Sequence, residues 1–219
     1  GNNILPMATS QDHKARDDND LGPNTGGMGA YSPAPVVSEV VFKDAMERVI
    51  KPTVSAMKKE GMPYTGFLYA GLMIDHNEKV KVLEYNCRFG DPETQPIMMR
   101  LRTNLGRLCL AATRGKLDQE QAEWSHKTAL GVVMAAKGYP DSYQKGDVIT
   151  LPDATSDSKV FHAGTKLEDV NLLSNGGRVL CATSLGVDLE EAQKGAYQLV
   201  KKVSWDGSYY RTDIGFKGL

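Results

Sequence analysis

The chain has 219 residues, of which 26 are basic and 27 acidic, so its formal net charge is −1. Hydrophobic residues make up 41%, which favours a packed globular protein over a disordered one. The near-neutral charge argues against a broad nucleic-acid-binding surface, because such a surface needs an excess of basic residues.

No uninterrupted run of apolar residues is long enough for a membrane helix, and no basic segment leads into a long apolar run at the start. Neither a transmembrane helix nor a signal peptide is therefore expected. The cysteines Cys87, Cys109 and Cys181 form no CxxC pair and are odd in number, which argues against a disulfide framework. These features predict a cytoplasmic protein with free thiols and no membrane partner.

The beginning of the chain is predicted to contain one long helix. Residues 4–8 are typical of a strand end with nothing before it to pair with, so we expect the sequence to begin inside a larger fold. Residues 9–35 are loop-like, and a loop of that length is usually functional or disordered. After the N-cap residue Ser38, an apolar stripe predicts a helix that Pro52 kinks or restarts and that Gly61 ends.

A strand hairpin and two helices follow. Residues 66–75 are apolar on both alternating faces, which predicts a central strand covered on both sides. A short turn leads into a second strand over 79–89, so the two are expected to pair as an antiparallel hairpin. Helices are predicted over 93–103 and 104–115. Together, residues 1–120 are expected to form one domain.

The pattern changes after the polar segment 119–127, which reads as a linker. Several short strands follow, and then one amphipathic helix from Leu189 to the region of Val203. The predicted strands are ALGVVMAA, DVITL, KVFHAG and RVLCATSLG. A second, smaller α+β domain is therefore predicted over residues 121–219, and the fold class of the whole chain is α+β.

The strand that begins at Val80 carries the most informative pattern. Residues two apart on a strand share a face, so Val80 and Val82 are expected to lie beside Glu84, Asn86 and Arg88. Carboxylate and amide oxygens at this spacing suit Mg²⁺, and a guanidinium suits a phosphate or carboxylate. An exposed strand face with a surface ion pair, or a buried structural network, explains the same spacing. The opposite face is apolar and is expected to carry Leu83, Tyr85, Phe89 and a core residue, Cys87.

Other candidate residues have simpler explanations. The glycine-rich segment 22–29 could hold an anion on consecutive backbone N–H groups, but it lacks the P-loop pattern, and a flexible turn explains it as well. The segment 12–14, Asp-His-Lys, reads by itself as a surface loop. Asp91 and Glu93 follow a tight turn at a predicted helix start, where acidic residues commonly serve as caps.

Several segments in the same order resemble one family. They are LPMATSQDHK at 5–14, GPNTGGMGAYSPAP at 22–35, TGFLYAGLMID at 65–75 and EYNCRFGDPETQPIM at 84–98. They resemble the phosphoribosylamine–glycine ligases, which belong to the ATP-grasp superfamily. The later segments ALGVVMAAKGYP, VFHAGT and NGGRVLCATSLG are similar to the C-terminal domain of this family. A related ATP-grasp ligase with another substrate is the alternative, and segments 12–14 and 22–35 favour this family over it.

The resemblance implies a fold, a reaction and cofactors. The fold is the second half of an ATP-grasp domain, an antiparallel sheet with helices, followed by a small α+β domain. The reaction joins glycine to 5-phosphoribosylamine through glycyl phosphate and gives glycinamide ribonucleotide, ADP and phosphate, a step of de novo purine synthesis. ATP and Mg²⁺ or Mn²⁺ are the implied cofactors, and charge neutralisation by a metal and by basic side chains is the expected means of catalysis.

The resemblance also implies roles for individual residues. Glu84 and Asn86 correspond to the metal ligands, and Val82 corresponds to an apolar residue near the nucleotide base. Arg88 would face the substrate phosphate or the transferring phosphoryl group, and Asp91 would act with it as a catalytic residue. The implied substrate-binding residues are Asp12, Lys14, Gly26, Gly27, Gly29, Arg88 and Glu93.

Family members are about twice as long as this chain, which is a further implication of the resemblance. The N-terminal domain and the first half of the ATP-grasp, with its glycine-rich lid and phosphate-contacting lysine, are expected to be missing. The chain is then inactive alone and needs that N-terminal half, and the complete enzyme is expected to be a monomer. Alternatively, the chain is a module that binds Mg-nucleotide or an anion and self-associates through the surface the missing half would cover.

Overall fold

The computed structural model describes residues 1–153 and 155–219. These residues form two compact units, each built from three stretches of chain. The hairpin unit comprises residues 1–9, 34–90 and 101–125, and the sheet unit comprises residues 10–33, 91–100 and 126–219. Segments 10–33 and 91–100 are thus packed with the C-terminal part of the chain, and a domain boundary near residue 120 stays a prediction.

The fold is mixed α and β, as predicted. The strands are β1 (Gln11–Asp12), β2 (Ala15–Asp17), β3 (Leu21–Asn24), β4 (Gly29–Ser32), β5 (Tyr69–Ile74), β6 (Val80–Asn86), β7 (Thr128–Ala136), β8 (Ser158–His162), β9 (Thr165–Glu168), β10 (Asn171–Ser174), β11 (Arg178–Gly186) and β12 (Ser208–Tyr209). The α-helices are α1 (Glu39–Ala45), α2 (Lys51–Lys59), α3 (Thr94–Arg100), α4 (Leu105–Thr113) and α5 (Leu189–Val200). None of the helices in the described part of the chain has the length and apolar character needed to cross a membrane.

The hairpin unit contains the predicted long helix and the predicted strand hairpin. The Ser38 side chain accepts a hydrogen bond from the Val41 amide at 3.2 Å and caps α1. A π-helical turn, Met46–Ile50, joins α1 to α2, which has Pro52 in its first turn; proline has no N–H to donate to the preceding turn. The helix and the antiparallel β5–β6 pairing are both confirmed.

Two expectations for this unit are wrong. Residues 4–8 form no strand. Strand β5 is not covered on both sides, because it pairs only with β6 in the described structure and its residues are half-buried or, like Met73, exposed. An apolar run on both faces of a short strand therefore does not establish burial here.

The sheet unit is organised by one antiparallel sheet in the order β1-β4-β7-β11-β8, with β12 also paired to β7. Strands β7 and β11 are almost entirely buried, and α5 packs against both. The core of this unit comprises Met28, Tyr31, Leu130, Val132, Met134, Leu180, Ala192, Ala196, Val200, Trp205 and Ile214, among others.

Segment 9–35, expected to be a loop, contributes four strands to this unit. Strands β1 and β4 pair with each other, and β4 also pairs with β7, so Met28 and Tyr31 are fully buried. Strands β2 and β3 form a separate two-stranded pair. The strands are too short and too rich in glycine and polar residues for their periodicity to be visible in the sequence, and β7, the partner that brings β4 into the large sheet, lies about a hundred residues away. Segment DVITL, expected to be a strand, makes only isolated bridges at Val148 and Thr150.

A fully buried guanidinium joins both ends of the sheet unit. Nε and Nη2 of Arg211 donate to the two carboxylate oxygens of Asp213 at 2.7 and 2.8 Å. Nη1 donates to Asp20 at 2.9 Å and to the carbonyl of Ala15 at 3.1 Å. Lys217 pairs with the second oxygen of Asp20 at 2.5 Å. Burial would raise the pKa of Asp213, but hydrogen bonds from Arg211 and from the Asn19 amide lower it to about 2.

We expect Arg211→Met to lower the free energy of unfolding of the chain by about 3–5 kcal/mol, because it removes the buried counter-charge of Asp213 and one of the two cations paired with Asp20. Urea denaturation followed by circular dichroism measures the loss. The matched control is Lys166→Met, whose cation forms an exposed pair with Glu168, and its expected cost is below about 1 kcal/mol. A similar small cost for both variants would contradict the role of the buried network.

Candidate functional site

Strand β6 carries an irregularity at the candidate metal ligands. Gly71 of β5 pairs with Glu84. The next residue of β5, Leu72, pairs with Val82 rather than with Leu83. Leu83 is therefore an extra residue, a β-bulge, and bulges locally shift the alternation of side chains along a strand. After the bulge, side chains alternate regularly between the two faces from Glu84 to Asn86.

The bulge separates Val82 from the two candidate ligands. Glu84 and Asn86 lie on one face of the hairpin, where Glu84 is exposed and Asn86 is half-buried. Val82 lies on the other face, with the buried Val80 and with Tyr85, whose hydroxyl contacts that of Thr53 on α2 at 2.7 Å. The expectation that Val82 shares the face of Glu84 is wrong, because the sequence does not reveal the bulge. A role for Val82 near a nucleotide base stays a prediction.

The residues just after β6 lie at the surface of the hairpin unit. Cys87, expected in the core, is exposed, because the strand ends at Asn86. Arg88 is also exposed, and its Nη1 donates to the carbonyl of Phe89 at 2.9 Å. The ring of Phe89 stacks on Phe67 with centroids 3.9 Å apart. The ring contact lies next to Arg88 in the sequence, and Arg88 itself remains accessible to solvent.

The oxygen atoms of Glu84 and Asn86 fit a small hard cation. Mg²⁺ typically takes one or two protein oxygens and completes its octahedron with water and phosphate oxygens. Among residues 1–153 and 155–219, no group of three or more His, Cys, Asp or Glu side chains is arranged to hold a metal. A metal at this face would therefore take most of its ligands from elsewhere, as a substrate-bound Mg²⁺ does.

The Asp12–Lys14 segment is an ordered part of the sheet unit, and the expectation of a surface loop is wrong. Asp12 lies in β1 and pairs with Lys14, with 2.6 Å between the carboxylate and the ammonium. Between them, His13 is fully buried, and its Nε2 accepts a hydrogen bond from the Gly215 amide at 3.2 Å. The backbone of His13 also bonds to that of Gly29 and Met28. The two charged side chains therefore project from a rigid backbone.

His13 is neutral at ordinary pH. Burial lowers its pKa most, and the nearby cations Arg211 and Lys217 lower it further, to about 4. The carboxylates Asp20 and Asp213 act in the opposite direction and do not compensate. A neutral ring with Nε2 as acceptor matches the hydrogen bond it receives.

The glycine-rich loop is internally bonded, not a flexible turn. The amide of Gly26 donates to the Tyr139 hydroxyl at 3.0 Å, and that of Gly27 donates to the Thr25 hydroxyl at 3.0 Å. The amide of Met28 donates to the carbonyl of His13 at 2.8 Å. These three amides are thus used by the protein itself, so an anion cradle of consecutive free N–H groups is not what this loop presents.

Close packing explains two of the glycines. At Gly27 the φ angle is +120°, and a Cβ would overlap the ring of Pro92. At Gly29 a Cβ would lie 2.7 Å from the carbonyl oxygen of Gly131 and 2.7 Å from Ile214. Glycine is required at Gly27 by the positive φ angle and the nearby proline ring, and at Gly29 by the nearby backbone oxygen and isoleucine side chain. The loop is therefore shaped by its neighbours within the sheet unit, and its proposed lining of a substrate site stays a prediction.

Asp91 and Glu93 occupy different environments. Asp91 is about half exposed, and its carboxylate receives a hydrogen bond from Nη2 of Arg178 at 3.0 Å. Glu93 is buried at 2% exposure, just before α3. Arg178 bonds to the glycine-rich loop and to the Asp91 turn, and Tyr139 bonds to the loop. Nothing in the sequence indicates either role, because Arg178 begins an apolar strand and Tyr139 follows a glycine in a turn. Only the fold brings them to segments 26–27 and 91.

The structure thus groups the candidate residues in two sets. Glu84 and Asn86 share one face of the β5–β6 hairpin, with Arg88 just beyond it, in the hairpin unit. The second set belongs to the sheet unit and comprises Asp12, Lys14, Gly26, Gly27, Gly29, Asp91 and Glu93.

Comparison with known proteins gives a consistent result. Residues 1–94 match the phosphoribosylglycinamide synthetase ATP-grasp (A) domain, and residues 129–217 match the phosphoribosylglycinamide synthetase C domain. The chain is 60% identical over 221 aligned residues to a phosphoribosylamine–glycine ligase of Vibrio parahaemolyticus, and the match covers all of this chain and 52% of that protein. The chain spans about half the length of the curated relatives it matches.

Solved structures agree with the sequence comparison. A phosphoribosylamine–glycine ligase from Thermotoga maritima superposes with a TM-score of 0.88 at 40% identity, over 98% of this chain and 53% of that one. The biotin carboxylase domain of the Hydrogenobacter thermophilus 2-oxoglutarate carboxylase gives a TM-score of 0.62 at 12% identity, over 91% of this chain and 42% of that one. The second likeness shows a shared fold only.

The buried His13 makes stability depend on pH. Its pKa of about 4 lies below the usual 6.5, so between these values the unfolded chain binds the extra proton. The free energy of unfolding should therefore fall as the pH drops from 7 towards 4, by about 3 kcal/mol for this group. Urea denaturation at pH 7, 6, 5 and 4.5 measures the slope, which His13→Gln should reduce. The exposed His162 provides the control, since His162→Gln should keep the wild-type slope; equal slopes in all three proteins would contradict the assignment.

Proposed function

Because this chain belongs to the phosphoribosylglycinamide synthetase family, we propose that it forms part of a phosphoribosylamine–glycine ligase of de novo purine synthesis. The observation that carries the proposal is the pair of oxygen ligands, Glu84 and Asn86, side by side on a hairpin within the matched ATP-grasp domain. The unpaired thiols and the biosynthetic role of the relatives support a cytoplasmic location.

The proposed reaction forms an amide in two steps. The carboxylate of glycine accepts the γ-phosphoryl group of ATP, which gives glycyl phosphate and releases ADP. The amine of 5-phosphoribosylamine then displaces phosphate and loses a proton, which gives the amide glycinamide ribonucleotide. Bound ATP and Mg²⁺ or Mn²⁺ would supply the phosphoryl group and the charge neutralisation that its transfer needs. In this chain, Glu84 and Asn86 would hold the metal.

Basic and acidic side chains would bind the phosphoryl group and the two amine substrates. Arg88, exposed beyond β6, is suited to neutralise a phosphoryl or phosphate group with its planar fork. Asp12 and Lys14 project from a fixed backbone and could exchange their mutual ion pair for contacts with phosphoribosylamine. Asp91 and Glu93 would orient the amine substrates.

The chain alone is expected to lack ligase activity, since it spans about half the length of its relatives. We therefore expect activity from a chimera that joins the preceding part of the Vibrio parahaemolyticus relative to this chain. The assay measures ADP formation that depends on both glycine and phosphoribosylamine. In the chimera, Glu84→Ala should lower kcat/KM by about a hundredfold or more, because a metal contact worth several kcal/mol is lost.

The matched control for this experiment is Glu47→Ala. Glu47 is an exposed carboxylate of the same unit that pairs with Lys51 on the helix surface, so its loss should change kcat/KM less than twofold. Turnover by the unjoined chain would contradict the need for a first half. A chimera that uses ATP but responds to a different amine or acid would favour the related ATP-grasp ligase instead.

The alternative of an interaction module has one observation in its favour. The β5–β6 sheet pairs with no further strand in the described part of the chain, and it exposes Met73 (53%), Leu83 (63%) and Val82 (43%). Apolar side chains on a two-stranded sheet with free edges favour association. In a complete ligase, which we expect to be a monomer, these side chains would be covered.

We expect the isolated chain to self-associate, and sedimentation velocity over a concentration series measures this. Leu83→Lys should weaken association about tenfold or more by placing a charge in the apolar surface. Leu167, which is 70% exposed on β9 of the other unit, provides the control: Leu167→Lys should leave the association constant unchanged. A monomer at millimolar concentration would refute the expectation.

A further inference from the structure

Arg178 occupies a position that the proposed function leaves unexplained. It is the first residue of β11, and its side chain is only about one-fifth exposed. The guanidinium does not point into solvent, as a strand-end arginine commonly does. It reaches two separate parts of the sheet unit that both carry proposed substrate-binding residues, the glycine-rich loop and the turn at Asp91.

The guanidinium connects these two segments through its hydrogen bonds. Nη1 donates to the carbonyl oxygens of Asp91 at 2.7 Å, Gly26 at 3.0 Å and Gly27 at 3.4 Å. Nη2 donates to the carboxylate of Asp91 at 3.0 Å. One planar group thus serves three carbonyls and one carboxylate, which the compact ammonium of a lysine could not do from a single position.

The packing around Gly26 shows how closely the loop depends on this side chain. A Cβ on Gly26 would lie 2.8 Å from Cζ and 2.9 Å from Nη2 of Arg178. Gly26 has no positive φ angle, so the backbone itself does not require glycine at this position. A Cβ at this position would displace the guanidinium from its present place, so the glycine and the Arg178 hydrogen bonds depend on each other. At the neighbouring Gly27, in contrast, the obstacle is Pro92 together with a positive φ.

We propose that Arg178 is a positioning residue that holds the Gly26–Gly27 loop and the carboxylate of Asp91 in one geometry for the amine substrates. This inference rests on the proposed function. Asp91 then acts as an oriented and charge-balanced carboxylate, not as a free base, because its negative charge already faces Arg178. The alternative is that Arg178 stabilises the fold without affecting substrate binding.

The contact itself can be tested on the isolated chain with a double-mutant cycle. Gly26→Ala should lower the Tm by about 4 °C or more, and in an Arg178→Ala background the same substitution should shift the Tm by less than about 1 °C. Gly29→Ala is the control, because its clash with the carbonyl oxygen of Gly131 and with Ile214 does not involve Arg178, so its Tm shift should be the same in both backgrounds. Equal shifts for Gly26→Ala in both backgrounds would overturn the proposal.

The positioning role can be tested in the chimeric ligase by comparing substrates. Arg178→Lys keeps the charge but not the fork, and it should raise the KM for phosphoribosylamine about tenfold or more while changing the KM for ATP less than twofold. Val179→Ala supplies the structural control: Val179 is the next residue of β11 and fully buried, so its truncation destabilises the strand but should leave both KM values unchanged.

The two experiments separate the inference from the function on which it rests. An active chimera in which Arg178→Lys and Val179→Ala leave the KM for phosphoribosylamine equally unchanged would overturn the positioning role. A chimera without ligase activity would refute the proposed function, whereas the double-mutant cycle would still decide whether Arg178 holds the loop.

Discussion

A guanidinium removed entirely from water must have its charge and its N–H groups satisfied by the protein, and Arg211 imposes this constraint on the sheet unit. Its partners come from residue 213 and from residues 15 and 20, nearly two hundred positions away in the sequence. The last residues of the chain are therefore bound to the acidic turn that follows β2. The same region buries His13 and keeps it neutral.

This constraint reaches the candidate substrate residues through the backbone. Arg211 bonds to the carbonyl of Ala15, the residue after Lys14, and Gly215 donates to the ring of His13. The short segment that carries Asp12 and Lys14 is thus held in place by hydrogen bonds from the C-terminal segment. Arg178 does the same for the glycine-rich loop, so two arginines of the C-terminal part hold both pieces of segment 10–33 that carry proposed substrate-binding residues.

The candidate metal ligands depend on a different feature, the bulge at Leu83. An extra residue in β6 places Val82 with Val80 and Tyr85 while Glu84 and Asn86 take the opposite face. Val80, before the bulge, packs with Val41 and Val49, whereas Glu84, after it, remains exposed and accessible to a cation. Without the bulge, Val82 and Glu84 would lie on the same face.

Local patterns in the sequence determine a substantial part of this protein. Four features can be predicted from the sequence because each depends on neighbours a few residues away. They are the Ser38 cap, the apolar stripe up to residue 57, the β5–β6 hairpin and α5. The oxygen pair Glu84 and Asn86 is readable for the same reason. The family of the chain can also be recognised from the sequence, because several short motifs of that family occur in the same order.

Only the tertiary structure decides which distant residues meet. Strands β1 and β4 are too short to show a period, and β4 becomes a strand because β7 lies beside it. His13 is buried because Tyr31 and Phe216 pack around it, although the tripeptide Asp-His-Lys is polar. Nothing near Arg178, Tyr139 or Arg211 in the sequence indicates their distant partners. Asp91, Gly26 and Ala15, respectively, lie 87 to 196 positions away from them. Sequence patterns report the neighbours along the chain, whereas these contacts depend on how the sheet is assembled.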